Sequence, residues 1–116
     1  MITVARVYDY KPTRGKFAIL VDRLWPRGVR KEDLTPSLWL KDIAPSHELR
    51  KWFDHDPSRW DQFREQYREE LKANGEALKE IKRLEREHGE VVLLYAARDP
   101  VHNNAVALKE ILKSRH

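Results

Sequence analysis

The pattern of apolar and polar positions predicts four strands along the chain. Residues 2–8 alternate between apolar and polar positions, and residues 17–22 form a second apolar run that ends at an aspartate. The connection between these runs is too short for a crossover helix, so the two strands could form an antiparallel pair. Residues 37–43 fit a strand or a short helix, and the flanking prolines favour the strand. Residues 91–96 are an unbroken apolar run, typical of a strand buried on both faces.

Helical patterns follow the third strand and the fourth. Ser46 is a predicted N-cap for a helix that runs to about Asp54, and Asp56 followed by proline predicts the next helix start. Apolar residues then recur at steps of three and four, interrupted by an Asn-Gly pair, as far as a predicted helix end at Gly89. Asp99 followed by proline predicts the start of the last helix.

Strands separated by helical stretches predict a single α/β domain over residues 1–116. The expected architecture is a two-layer or three-layer sandwich, Rossmann-like, with about four mostly parallel strands and flanking helices. Ligands of such folds bind beyond the carboxyl ends of the strands. The loops after the second and last strands are therefore the first places to look for a site.

Composition narrows the class of protein. The chain of 116 residues is 41% hydrophobic and 36% charged, which suits one core with a strongly polar surface. It contains no cysteine, and this excludes disulfides, thiolate metal sites and a cysteine nucleophile. No apolar run approaches the ~20 residues that a membrane span needs, and the N-terminus lacks a secretory signal pattern. We expect a cytoplasmic protein with no membrane partner.

Positive charge is concentrated in one segment. The net charge of the chain is +4, whereas residues 11–31 alone sum to +6. Residues 57–88 carry equal numbers of cations and anions. A local positive potential attracts phosphate or carboxylate groups, on a small molecule or along a nucleic-acid backbone. The cations of the segment are Lys11, Arg14, Lys16, Arg23, Arg27, Arg30 and Lys31.

The loop after the second strand is the first candidate site. Arg23 and Arg27 offer planar forks of donors for phosphate or carboxylate, and Trp25 offers a face for stacking. The structural alternative is that Asp22 pairs with one of these arginines while Trp25 covers the core.

The loop after the last strand is the second candidate site. A buried strand that leads into a helix directs free backbone N–H groups and the positive end of the helix dipole at one place. Arg98 would add a full charge there. Alternatively, Asp99 only caps the helix and repels an anion. The candidate residues of this loop are Tyr95, Arg98, Asp99, His102, Asn103 and Asn104.

The turn before the first helix adds Asp42 and Ser46 to the candidate pocket. Ser46 is better explained as a helix cap than as a nucleophile, because no nucleophile-elbow motif surrounds it. His55 lies between two aspartates, as in some metal sites, but capping explains Asp56, and adjacent residues rarely all face one ion. We expect no metal and no cofactor.

Four motifs in order along the chain carry a family resemblance. They are VDRLWPRGVRK, WLKDIAPSHELRKWF, HDPSRW and LLYAARDPVHNNAVAL. With these motifs the chain resembles the YeaO-like family of small bacterial and archaeal proteins over nearly its whole length. The resemblance implies a compact α/β domain, in a family whose members mostly lack an assigned activity.

A longer branch of that family is similar at the strand ends but carries cysteines there. This chain has Tyr95 where the branch has a thiol, and residues 103–105 read Asn-Asn-Ala where the branch has Cys-His-Arg. Thiol chemistry of that branch therefore does not transfer, whereas the geometry of its pocket can.

The sequence supports three hypotheses for function. The first is an anion-accepting pocket for a small molecule with a phosphate or carboxylate group, built from the three candidate segments. If the pocket is catalytic, His102, Asp22 or Asp99 would handle the proton. The second is nucleic-acid binding through residues 11–31, and the third is a protein-interaction module that docks through Trp25. The sequence does not establish whether the protein is an enzyme.

Overall fold

The computed structural model describes residues 1–11, 15–34 and 36–114. Its strands are β1 (Ile2–Arg6), β2 (Phe17–Leu20), β3 (Leu38–Trp39) and β4 (Val91–Tyr95). Its helices are α1 (His47–Phe53), α2 (Trp60–Lys72), α3 (Gly75–His88) and α4 (Asn104–Lys113). The strands form one sheet in the order β1-β4-β2-β3, and all neighbouring strands are parallel. The α/β class and the mostly parallel sheet are confirmed.

The last strand in the chain, β4, lies between β1 and β2. All five of its residues are buried, and Leu93 lies opposite Val4 on one side and Ile19 on the other. The antiparallel pairing of the first two strands was therefore wrong. Ten residues separate β1 from β2. When fully extended, ten residues span ~33 Å. This is enough to run back along a strand of ~17 Å and to pass β4 on the way to β2, a sideways step of two strand spacings of ~5 Å each.

The sheet has helices on one face and loops on the other, so the sandwich has two layers. Leu93 packs in a cluster with residues of the helices, such as Ile81 and Leu108. The next residue, Leu94, packs in a second cluster against Trp25 and Leu34, which belong to the connection between β2 and β3. That connection is therefore held against the sheet by apolar burial, although none of its described residues is helical.

Several predicted boundaries shift in the structure, and the first strand ends at Arg6, two residues before the predicted end at Tyr8. Residues 37–43 were predicted as a strand or a short helix, and they contain both, since β3 is followed by a 3-10 turn at Lys41–Ile43. The second strand ends at Leu20, two residues earlier than expected. The last helix begins at Asn104, not at Asp99. The side chain of Asn103, with an extended backbone, accepts the N–H of Val106 and so caps α4.

The other helix ends agree with the sequence. The hydroxyl of Ser46 accepts the N–H of Leu49 at 3.1 Å and caps α1, as predicted. Asp56 caps the turn that leads into α2, and Gly89 ends α3 with a φ of 83° that favours glycine. No helix among the described residues is long and apolar enough to span a membrane.

Candidate functional site

A cleft of about 850 Å³ lies beyond the carboxyl ends of the central strands. Asp22 and Ala96, which follow β2 and β4, contribute to its lining. The loop after Asp22 adds Trp25, α1 adds Arg50, and the segment before α4 adds His102. The two strand-end loops that the sequence singled out therefore line one cavity, as that hypothesis requires.

The carboxylate of Asp22 ties the strand ends together. Its Oδ2 accepts the backbone N–H of Ala96 at 2.9 Å, and its Oδ1 accepts Nδ2 of Asn104 at 3.0 Å. The same Asn104 amide donates to the carbonyl oxygen of Val21 at 3.1 Å. Burial raises the pKa of Asp22, while these hydrogen bonds and the charge of Arg50 act in the opposite direction. Asp22 therefore acts as an internal anion between β2, β4 and α4.

The loop after β4 satisfies its own N–H groups. Oδ1 of Asp99 accepts the N–H groups of Val101 and His102 at 2.9 and 3.1 Å, and its Oδ2 lies 2.8 Å from Nδ1 of His102. The N–H of Val101 and the His102 side chain lower the pKa of Asp99 to about 2. The N–H of Ala96 is bonded to Asp22, and Asn103 caps the first turn of α4. The N–H groups that were predicted to bind an anion are therefore already bonded to side chains of the protein.

Cations that form no ion pair among the described residues line the cleft instead. Within the described part of the chain, none of the four arginines and lysines of the cleft forms an ion pair with a carboxylate. On α2 and α3, by contrast, five of the seven arginines and lysines are ion-paired. The cleft also contains three histidines. These cations are Arg23, Arg27, Arg50 and Lys51, with His47, His55 and His102 beside them.

The guanidinium of Arg23 is incompletely bonded. Its Nη2 donates to the carbonyl oxygen of Ala44 over a long 3.4 Å, and its Nε is buried with no partner among the described residues. A buried donor without an acceptor costs roughly 1–3 kcal/mol. An acceptor that entered the cleft and reached this atom would remove that cost.

The loop between Asp22 and Val29 is fixed by its aromatic residues. The indole N–H of Trp25 donates to the carbonyl oxygen of Val29 at 2.7 Å, and its ring meets Trp39 edge-on at a centroid distance of 5.4 Å. The hydroxyl of Tyr8 donates to the carbonyl oxygen of Arg27 at 2.8 Å. Both rings line the cleft with their polar atoms already bonded, so they present apolar surface to it.

Seven of the twelve residues proposed from the sequence line the cleft, and five do not. Ser46 is occupied by its capping role and by Glu70, which accepts its backbone N–H at 2.9 Å. Tyr95 is in the core, and Asp99 lies outside the lining but contacts His102, which is part of it. Asp42 and Arg98 are exposed outside the lining. The seven in the lining are Asp22, Arg23, Trp25, Arg27, His102, Asn103 and Asn104.

Sequence reasoning missed the contribution of α1. His47, Arg50 and Lys51 line the cleft and are three and four residues apart, which places them on one face of the helix. That spacing was visible in the sequence. Without the packing of α1, however, it is equally typical of a solvated helix face. His55 also lines the cleft, while Asp56 caps the turn before α2 as expected.

The basic segment 11–31 does not form one continuous surface. Lys16 pairs with Glu90 at 3.4 Å, and Arg30 pairs with Asp33 at 3.1 Å. Arg23 is half-buried in the cleft. Arg14 lies outside the described residues.

Comparisons with known proteins agree with the resemblance read from the motifs. A family model described as the inactive DUF488-N3 subclade matches residues 1–116. An uncharacterised protein of Mycobacterium tuberculosis is 42% identical over 115 residues, which cover 98% of this chain and 95% of that protein. The uncharacterised protein YeaO of Escherichia coli is 40% identical over 113 residues, or 97% of each chain. No solved structure matches. The chain therefore belongs to the DUF488-N3 family, in the subclade described as inactive.

Proposed function

We propose that the cleft binds a small molecule that carries a phosphate or carboxylate group. The observation that supports this is the set of unpaired cations in the cleft, Arg23, Arg27, Arg50 and Lys51. Like charges that share a cavity repel one another, and this repulsion is relieved when an anion binds among them. Because the chain belongs to a subclade described as inactive, we favour a protein that binds its ligand without converting it.

Two features favour a bound anion over simple solvation of these side chains. Arginine presents a planar fork that matches phosphate and carboxylate oxygens, and three of the four cations are arginines. In addition, the buried Nε of Arg23 lacks an acceptor among the described residues.

The anion would have to lie outward of the strand ends. Asp22 already accepts the N–H of Ala96, and its own charge would repel a second anion at that position. The remaining space is bounded by the loop of Arg23 and Arg27 and by the cationic face of α1. This differs from a phosphate bound directly at a helix N-terminus, because the charges are supplied by side chains.

The test is a calorimetric titration with inorganic phosphate, ribose 5-phosphate, nucleotides and dicarboxylates. An Arg50→Gln/Lys51→Gln variant removes two exposed cleft cations, and we expect it to weaken binding by about tenfold or more. An Arg68→Gln/Arg86→Gln variant removes two exposed cations of α2 and α3 that form no ion pair among the described residues, and serves as the matched control. Equal weakening by both variants, or no saturable binding of any compound, would overturn the proposal.

Nucleic-acid binding is the weaker alternative on these observations. The internal ion pairs of Lys16 and Arg30 reduce the charge that residues 11–31 can offer to a phosphate backbone. The cations of the cleft are spread around a cavity and do not form an open stripe. A gel-shift series against salt tests this alternative directly, since binding driven by phosphate contacts must weaken steeply as salt rises.

A further inference from the structure

We infer that the anion bound in this cleft is a nucleoside phosphate, in which a flat base is joined to the charged group. This inference rests on the proposed function and adds a flat base to the anionic group proposed there for the ligand. It follows from the size of the cleft, from the apolar residues around it and from the division of its lining between two segments.

The cleft is larger than a simple anion needs. Its volume of about 850 Å³ lies in the range of sites that enclose a drug-sized or cofactor-sized ligand, roughly 300–1,000 Å³. A phosphate or a small dicarboxylate would leave most of this space filled with water. The ligand that fits therefore has a body as well as a charge.

Exposed apolar side chains gather at the cleft. The described residues include only four large apolar side chains that are exposed, and one of them is the N-terminal Met1. Of the others, Tyr8 and Leu24 line the cleft. Val101 is outside the lining but directly precedes His102, which is part of it. Leu24 is 66% exposed and Tyr8 is 45% exposed, and exposed apolar side chains that share one cleft mark a binding surface, whereas single ones do not. The body of the ligand is therefore expected to be apolar on its faces.

Aromatic rings supply a stacking surface in the same half of the cleft. The indole of Trp25 is held by its bond to the Val29 carbonyl and by its edge contact with Trp39, so its orientation is fixed before a ligand arrives. The ring of Tyr8 is likewise held by its bond to the Arg27 carbonyl, and the Arg6 guanidinium covers one of its faces at 4.6 Å, so only the other face can stack on a ligand. Rigid rings whose polar atoms are already bonded recognise a base by stacking, which every nucleobase can offer.

The two halves of the lining come from different segments of the chain. The segment of Leu24, Trp25 and Pro26 supplies apolar surface, and Arg50 and Lys51 of α1 supply positive charge. Arg27 follows directly on the apolar segment and adds a positive charge to its end. A ligand with a flat apolar end and an anionic end satisfies both. Among common metabolites, nucleoside phosphates have this composition.

The experiment compares AMP, ribose 5-phosphate and inorganic phosphate by calorimetric titration of the whole protein. We expect AMP to bind at least about tenfold more tightly than ribose 5-phosphate, since stacking of one base is sufficient for that difference. A Trp25→Leu variant should lose most of this difference and keep the affinity for ribose 5-phosphate. Trp52→Leu changes another half-buried tryptophan, one outside the cleft, and should change neither affinity. A Leu24→Ser variant repeats the test at a highly exposed residue if Trp25→Leu does not fold.

The outcomes separate the two proposals. Equal affinity for AMP and ribose 5-phosphate would overturn the nucleoside inference and leave the anion site standing. Benzoate that binds at least as tightly as AMP would also overturn it, because an aryl carboxylate would then be the better ligand class. A loss of AMP binding that is the same in the Trp25 and Trp52 variants would contradict the stacking role. If neither the phosphorylated compounds nor the carboxylates show saturable binding, the proposed function fails with it.

Discussion

Replacing Asp22 with asparagine tests whether this carboxylate is the internal anion of the cleft. Asp22→Asn keeps the shape of the side chain and removes its charge. The carboxylate accepts two hydrogen bonds, from the N–H of Ala96 at 2.9 Å and from the amide of Asn104 at 3.0 Å. An asparagine has only one acceptor oxygen, so one of the two donors is left without a partner.

The size of the effect follows from these two bonds and from the raised pKa. Loss of one hydrogen bond to a charged acceptor lowers the free energy of unfolding by roughly 1.5–3 kcal/mol, and removal of a buried charge offsets part of this loss. Because burial raises the folded-state pKa of Asp22 above 3.8, the protonated form is favoured by folding. The stabilisation that comes from the titration of Asp22 is therefore complete below pH 3.8 and is lost as the pH rises through the raised folded value. The slope is at most about 1.4 kcal/mol per pH unit.

The assay is urea unfolding of both proteins from mildly acidic to neutral pH, followed by tryptophan fluorescence. We expect the wild type to be more stable than Asp22→Asn by the largest margin at the acidic end, and the margin to shrink towards neutral pH. Asp42→Asn is the control for loss of one exposed carboxylate. A margin that stays constant, or that widens as the pH rises, would refute the reasoning about Asp22.

Two further variants test the contacts that position the site. Asn103→Ala removes the cap of α4 and the 2.9 Å bond to the Asp99 carbonyl at a position that is 2% exposed, and should lower the free energy of unfolding by about 1–3 kcal/mol in urea. Asn103→Ser, which keeps a capping oxygen without burying a charge, should lose less. Tyr67→Phe removes a 2.6 Å bond from a fully buried hydroxyl to the Ile43 carbonyl and should cost roughly 1–2 kcal/mol, so an unchanged urea midpoint would contradict that bond.

Local patterns were sufficient for most of the secondary structure but not for the order of the strands. The apolar run at Val91–Tyr95 and the cap at Ser46 were recognised because their causes lie within a few residues. The position of β4 between β1 and β2 depends on a segment that comes more than 70 residues after β2. No local spacing near residues 2–22 can indicate it, and for that reason the first two strands were mistaken for neighbours.

Only part of the candidate site was predicted, because some of its contacts also join distant segments of the chain. That the loops after β2 and β4 meet follows from parallel strands with aligned ends, which the alternation of strands and helices indicates. The bond between Asp22 and the Ala96 N–H joins residues 74 positions apart, so it could not be predicted from either loop alone. The cations of α1 were overlooked because helical spacing describes a face of the helix and not what that face meets.

The Nε–H group of Arg23 offers the most direct measurement of the central claim, that an anion binds among the cleft cations. Because this atom is buried, its proton should exchange slowly enough with water to give a resolved side-chain signal in a nitrogen-15 NMR spectrum. On titration with ribose 5-phosphate or AMP, we expect that signal and the backbone signals of His47–Phe53 to shift together and to saturate, while those of Gly75–His88 stay in place. Saturable shifts confined to α3, or an Arg23 signal that does not move while the ligand binds, would contradict the claim.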